Sequence, residues 1–335
     1  WLDGGLGADT MGGGFGDDTF IVDNIADVVS ESTGQGTDTV RSSVTWSLAT
    51  AHVEYLVLTG TANIDGKGNA LNNILTGNDA DNRLDGGAGY DVMTGVRGND
   101  TGMSDNVSDV ALEQSGQGID TIQTILNTTL PEHIENLILT GTAGLTGVGN
   151  TWNNILTGNL GNNVLNGLGG NDLINGGLGA DTMYGFTGDD TFMVDNAGDV
   201  VNETNGYGTD TVLALGSYTL GATYVEILTL TGSANTDATG NGLANTITGN
   251  SGNNILNGSG GADSLAGGAG SDYYIVDNLG DTVTEGLNAG TDTVQSTVTF
   301  TLGANIENLT LAGTGHTDGF GNGLANTLIG NSGDN

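Results

Sequence analysis

A nine-residue motif laid head to tail leaves this chain very few folds. Gly4-Gly5-Leu6-Gly7-Ala8-Asp9-Thr10-Met11-Gly12 runs straight into Gly13-Gly14-Phe15-Gly16-Asp17-Asp18-Thr19-Phe20-Ile21. The pattern returns from Gly86 and Gly95, from Gly167, Gly176 and Gly185, and from Gly258 and Gly267. The later blocks open on an Asn variant, from Gly77, Gly158 and Gly249. Six residues, Gly-Gly-x-Gly-x-Asp, read as a turn, since glycine alone enters positive backbone angles freely. The remaining three read as a short strand with one inward side chain. Met11, Phe20, Leu84, Met93, Leu165, Ile174, Met183, Phe192, Leu256, Leu265 and Tyr274 hold that inward position. One apolar site in nine is too sparse for an ordinary core and suits a thin, two-faced coil whose layers stack along an axis. A helix would need apolar residues three and four apart, and the blocks lack them.

A longer period encloses the short one. Phe20 to Val40 is echoed by the stretches from Gly102, Phe192 and Tyr274, with an Asp-Asn pair at 23, 105, 195 and 277. Each copy continues into a segment rich in β-branched and aromatic residues, broken by Gly and Asn, which reads as short strands. The expected organisation is one continuous array over 1–335, with units near 1–78, 79–159, 160–250 and 251–331. Its nonapeptide blocks fall at 1–21, 77–103, 158–193 and 249–275. Two super-periods cut in mid-pattern at both ends lead us to expect a window on a longer repetitive protein, or a unit that stacks end to end.

Composition narrows the function classes. There are 40 acidic and 4 basic residues, a formal net charge of −36, which disfavours nucleic acid and anionic membrane surfaces as partners. No apolar run approaches the length of a spanning helix, so no membrane insertion is expected. Cysteine is absent, and only His52, His133 and His316 could supply imidazole. Tyr224 and Asn305 stand where His52 and His133 do in the other copies, so these histidines are not expected to be catalytic. The acids recur with the repeat rather than forming one cleft, and no enzyme activity is expected.

The closing Asp of each turn falls into a row when coils stack about 4.8 Å apart. Such a row repels itself unless a cation lies between turns. Calcium matches, accepting six to eight hard oxygen ligands at about 2.3–2.6 Å. Zinc prefers nitrogen or sulfur ligands, and magnesium a tighter, wetter octahedron. The motif GGxGxDxUx resembles the glycine-rich nonapeptide of the RTX (repeats-in-toxin) family, the haemolysin-type calcium-binding repeats. The resemblance implies an all-β fold, a parallel β-roll or β-helix solenoid of stacked short strands with calcium-filled turns. It also implies type I secretion from a Gram-negative bacterium. Carried over position by position, it assigns the metal-binding role to Asp9, Asp18, Asp91, Asp100, Asp172, Asp181, Asp190, Asp263 and Asp272. Asn82, Asn163 and Asn254 take the same place without the charge. The turn GVRGND departs from the pattern, with Arg97 in the turn and Gly102 at the inward position.

Further acids recur in all four copies. Asp23, Asp27, Glu31 and Asp38 correspond to Asp105, Asp109, Glu113 and Asp120, then Asp195, Asp199, Glu203 and Asp210, then Asp277, Asp281, Glu285 and Asp292. They read either as a second class of calcium site or as a solvated face whose Asp side chains cap their own turns. Glu54, Glu135, Glu226 and Glu307 alternate with apolar neighbours and are expected to face solvent. Asn69, Asn73 and Asn78 and their repeats read as amide ladders at coil corners.

With this charge and this much glycine, the chain is expected to need calcium to fold. The leading functional expectation is a calcium-stiffened extracellular structural protein (an adhesin stalk, surface-layer component or filament-forming rod), with possible self-association end to end or laterally. The alternatives are a secretion and folding module of a larger enzyme or toxin, or a surface module recognising glycan or ice.

Overall fold

The computed structural model describes residues 1–49, 51–204, 207–221 and 223–335. Among them there are short parallel strands and no helix, as the nine-residue period demands. The chain forms two compact units, Trp1–Val164 and Leu165–Asn335.

In the first unit, strands Leu2–Asp3, Thr19–Val22, Thr39–Ser42, Tyr55–Leu58, Ile74–Thr76, Val92–Thr94 and Val110–Leu112 lie side by side in that order. Each pairs with a strand one coil away: Leu2 opposite Phe20, Thr19 opposite Thr39, Thr39 opposite Tyr55, Tyr55 opposite Ile74. A second row runs Trp46–Ser47, Gly66–Lys67, Arg83–Asp85, Thr101–Ser104, Thr121–Thr124, Asn136–Leu139 and Ile155–Thr157. Adjacent nonapeptides therefore sit on opposite sides of the coil, and each pairs with the next but one. The second unit repeats the design, with rows from Leu173–Asn175 to Thr282–Thr284 and from Tyr218–Thr219 to Thr327–Ile329. The segments between the glycine-rich blocks are thus full coils of the same solenoid, merely longer or shorter than the nonapeptide pairs.

Strand alternation puts every second residue inside. All eleven inward positions read from the nonapeptides are buried, and Phe20, Phe192 and Tyr274 have no exposed surface. The spacer coils add Val40, Leu56 and Leu75 in the first unit and Val212, Leu228 and Ile247 in the second. Burying each large side chain contributes about 1.5–3 kcal/mol, so the thin core is sustained by repetition. Gly102 interrupts it. In register between Leu84 and Ile122 it offers no side chain, and a cavity of about 200 Å³ opens beside it, lined in part by Met93, Ala111 and Ile122. Arg97 does not intrude: it is exposed, with its guanidinium 3.7 Å from Asp79.

Candidate metal centre

The turn glycines hold two jobs. The second and fourth take left-handed angles, as at Gly5 (φ 74°) and Gly7 (φ 137°). The first makes room for acid: a Cβ on Gly13, Gly95, Gly185 or Gly267 would collide with the carboxylate of Asp18, Asp100, Asp190 or Asp272. The Asp that closes each turn is thereby folded back under the glycine that opens it.

Stacking converts these carboxylates into ladders. One oxygen of each acid accepts the backbone N–H of the acid one coil earlier. Asp18 N–H donates to Asp38 Oδ1 at 2.8 Å, and Asp38 N–H donates to Glu54 Oε2 at 2.9 Å. Asp100, Asp120 and Glu135 repeat the pattern, as do Asp190, Asp210 and Glu226, and Asp272, Asp292 and Glu307. Glu54, Glu135, Glu226 and Glu307, expected on the solvent face, are instead half-buried members of the ladder. Each sits at the corner just before its strand, where the chain has not yet begun to alternate.

The other carboxylate oxygen is left over. Oδ2 of Asp18, Asp38, Asp100, Asp190, Asp272 and Asp292, and Oε2 of Glu31 and Glu113, are buried with no hydrogen-bond partner. A buried acceptor without a donor costs about 1–3 kcal/mol, more when charged. Carboxylates of these ladders and of the spacer glutamates converge in three places. Asp100, Glu113 and Asp120 bring ligand atoms within 4.8 Å of one another, and so do Asp190, Glu203 and Asp210, and Asp272, Glu285 and Asp292. That span is about twice the 2.3–2.6 Å ligand distance of calcium, so one ion can touch all three groups. The glutamates are pinned for the purpose: Glu31, Glu113 and Glu203 accept the N–H of Gly13, Gly95 and Gly185 at 2.5, 2.6 and 2.8 Å. In the last copy the Tyr274 hydroxyl donates to Glu285 instead.

Burial raises the carboxyl pKa values throughout these clusters, and neighbouring acids raise them further. Asp100, Glu113, Glu203 and Glu285 are pushed up to about 7, and Asp210 and Asp272 to about 6. Asp38, Asp120, Asp190 and Asp292 move in the same direction. Three carboxylates at this separation do not all stay ionised unaided, and a hard divalent cation supplies the missing positive charge. The donor set, all oxygen and with orphaned atoms pointing inward, fits calcium.

The remaining positions divide. Asp91 and Asp263, on the opposite side of the coil, are buried and keep an unpartnered Oδ2, as does the half-buried Asp9. Asp172 and Asp181 are buried, and their N–H groups donate to Asp190 and Asp199. Asp27, Asp109, Asp199 and Asp281 are saturated by backbone donors. Asp109, for instance, accepts Asp91 N–H on one oxygen and Asp105 and Asn106 N–H on the other. Asp23, Asp105, Asp195 and Asp277 supply a backbone N–H to that cap and keep their side chains exposed or half-buried. Asn82 and Asn254 place an amide where Asp would place a lone oxygen. Asn82 accepts Asn78 N–H at 2.7 Å and donates to the Ile64 carbonyl at 2.7 Å, and Asn254 likewise donates to Thr236 O. Asn163 accepts Asn159 N–H in the same way. His52 and Asn305, equivalent in the repeat, both reach the carbonyl of the spacer glutamate, Glu31 or Glu285.

The sequence reading placed Glu31, Glu113, Glu203 and Glu285 among the spacer acids and did not join them to the turn aspartates. The signal was there: each lies thirteen residues after a turn Asp and seven before a spacer Asp, in all four copies.

Comparison with protein families returns a match to the RTX calcium-binding nonapeptide repeat over residues 1–20, 67–101, 148–183, 168–201 and 239–274. No curated protein matches the chain. The matched stretches contain the folded-back aspartates just described, and the chain carries RTX calcium-binding nonapeptide repeats in copies along its length.

Proposed function

We propose that this chain is a calcium-dependent extracellular structural repeat protein, in the manner of an adhesin stalk, a surface-layer component or a filament-forming rod. Its role on this reading is mechanical rather than catalytic, and it becomes ordered after secretion. The observation that carries the proposal is the convergence of three carboxylates at Asp100/Glu113/Asp120, Asp190/Glu203/Asp210 and Asp272/Glu285/Asp292, with buried unpartnered oxygens on Asp100, Glu113, Asp190, Asp272 and Asp292. These groups oppose folding in a medium poor in calcium and favour it where the ion is plentiful. The same logic distinguishes inside from outside a cell. Extracellular calcium modules bind with dissociation constants on the order of 10⁻⁴–10⁻³ M, and because the ligands are assembled only in the folded coil, binding free energy contributes directly to folding.

The test is a calcium titration followed by far-UV circular dichroism, with magnesium as control. Strand signal should appear cooperatively between about 0.1 and 1 mM calcium, vanish on chelation and remain absent with magnesium alone. Full strand content in excess chelator at pH 7.5 would sink the reading. Electron microscopy of the calcium-loaded chain then separates a filament former from a passive stalk.

A further inference from the structure

The second copy of the long repeat lacks its largest inward side chains. Gly102 stands where the other copies have Phe20, Phe192 and Tyr274, and Thr128 where they have Trp46, Tyr218 and Phe300. Ser104 replaces Val22, Val194 and Val276, and Ala111 replaces Val29, Val201 and Val283. All four exceptions border the one cavity of about 200 Å³. Unrelated truncations would scatter through the core. These four fall together, and each removes apolar volume from the same place.

The cavity opens through a seam in the wall. Val110–Leu112 is the last strand of its row and Thr128–Thr129 the first of another, so the two are not bonded to each other. The seam recurs between Val28–Ser30 and Trp46–Ser47, and between Val200–Asn202 and Tyr218–Thr219. In those copies Trp46 or Tyr218 borders it, and Phe20 and Phe192 lie behind with no exposed surface. In the second copy neither ring is present and the seam leads inward to Gly102. Met93, Ala111, Ile122 and Leu126 supply apolar wall. Polar groups at the rim are already engaged: Asp109 accepts three backbone N–H groups, and Ser104 and Thr128 donate to Asn106 O and Leu126 O, each at 3.3 Å. What the space lacks is apolar contact.

We propose that this cavity binds a free benzene ring carrying one small substituent, the class of alkylbenzenes and simple phenols. The other copies hold that shape covalently. Beyond Cα, Phe20 and Phe192 are toluene and Tyr274 is p-cresol, all in the register of Gly102. An apolar cavity of about 150 Å³ is enough to bind benzene. A para hydroxyl is accommodated too, since Tyr274 directs its own to Glu285, the counterpart of Glu113. The ligand is neutral, so the net charge of −36 does not oppose it. Because only the folded coil has the cavity, an occupant also stabilises the fold.

The inference is independent of the structural role proposed above, and its test uses the calcium-loaded chain with strand content checked in every variant. p-Cresol is titrated calorimetrically, and toluene is followed by saturation-transfer NMR, alone and in competition. One-site saturation is expected with a dissociation constant of about 1 mM or below, within what seven or eight heavy atoms can supply. Toluene should displace p-cresol. Gly102→Phe puts the ring of the first and third copies into the cavity; it should abolish binding and raise the thermal midpoint. Ala111→Val, restoring the residue of the other three copies, should weaken binding at least threefold, and it decides the matter if Gly102→Phe does not fold. No saturation at ten times the expected concentration, undiminished affinity in either variant, or failure of toluene to compete would each overturn the proposal.

Discussion

Asp38, Asp100, Glu113, Asp190, Asp272 and Asp292 each have one oxygen held by a backbone N–H and one buried oxygen with no hydrogen-bond partner, and this asymmetry sets the chemistry at the scale of single residues. Because burial lifts Asp100, Glu113, Glu203 and Glu285 to about 7, the folded chain binds protons more tightly than the unfolded chain does. Without calcium, that linkage favours the fold at acid pH and withdraws the stabilisation as pH rises from about 4.5 through 7. With calcium, protons compete for the same oxygens, so the sign reverses. The calcium midpoint should move to at least tenfold higher concentration between pH 7.5 and 5.5, while the chelated chain should gain strand signal over the same interval. Circular dichroism titrations at the two pH values check both, and a midpoint independent of pH would show that other groups carry the ion. The turn aspartates were legible from the motif, because Gly-Gly-x-Gly-x-Asp is a local pattern. The convergence of Glu113 and Asp120 on Asp100 was not, since it depends on a coil of 20 residues replacing one of 18, a difference that only the stacked register expresses.

At the scale of the strand, a single inward side chain per nonapeptide leaves no redundancy. Ten of those positions carry Met, Phe, Leu or Ile, and Tyr274 turns the eleventh to a second use by donating to Glu285. Gly102 is the defect. A Cβ there would lie 3.7 Å from Ala111 Cβ and 3.9 Å from Met93 Cε, at ordinary contact distance. Gly102→Ala should therefore stabilise the calcium-loaded chain by about 0.5–1 kcal/mol, read as an increase in the thermal midpoint. A decrease would mean that the cavity beside it is needed empty. The inward file was readable in advance because strand alternation is local. The spacer coils were less so: their short strands were recognisable, but Glu54 and its repeats precede their strands, at corners where alternation does not apply, and were expected outside.

At the scale of the whole chain, charge is spread unevenly over a regular frame. Acid recurs with the period, and base occurs only between Arg41 and Arg97. Regularity reports what the fold needs, and exceptions such as Lys67 and Arg83 report what it does not. The coils also differ in what holds them together. At Asn78, Asn159, Asn250 and Asn331 the side-chain amide donates to two carbonyls of the preceding coil, as Asn78 does to Thr59 and Ala62. Those bonds contain no ion.

Permanent stitches thus alternate with removable ones. When calcium is withdrawn, the amide-stitched coils should be the last to exchange their backbone hydrogens, with protection longest around Ile74–Thr76 and Thr246–Thr248 and shortest around Glu113 and Glu203. Hydrogen exchange with mass spectrometry during partial chelation reads this directly, and uniform loss of protection would contradict it. A molecule built this way keeps a memory of its own winding through a shortage of metal. Rewinding then starts from seeds already in register, and a drought of calcium becomes a pause instead of a fresh search.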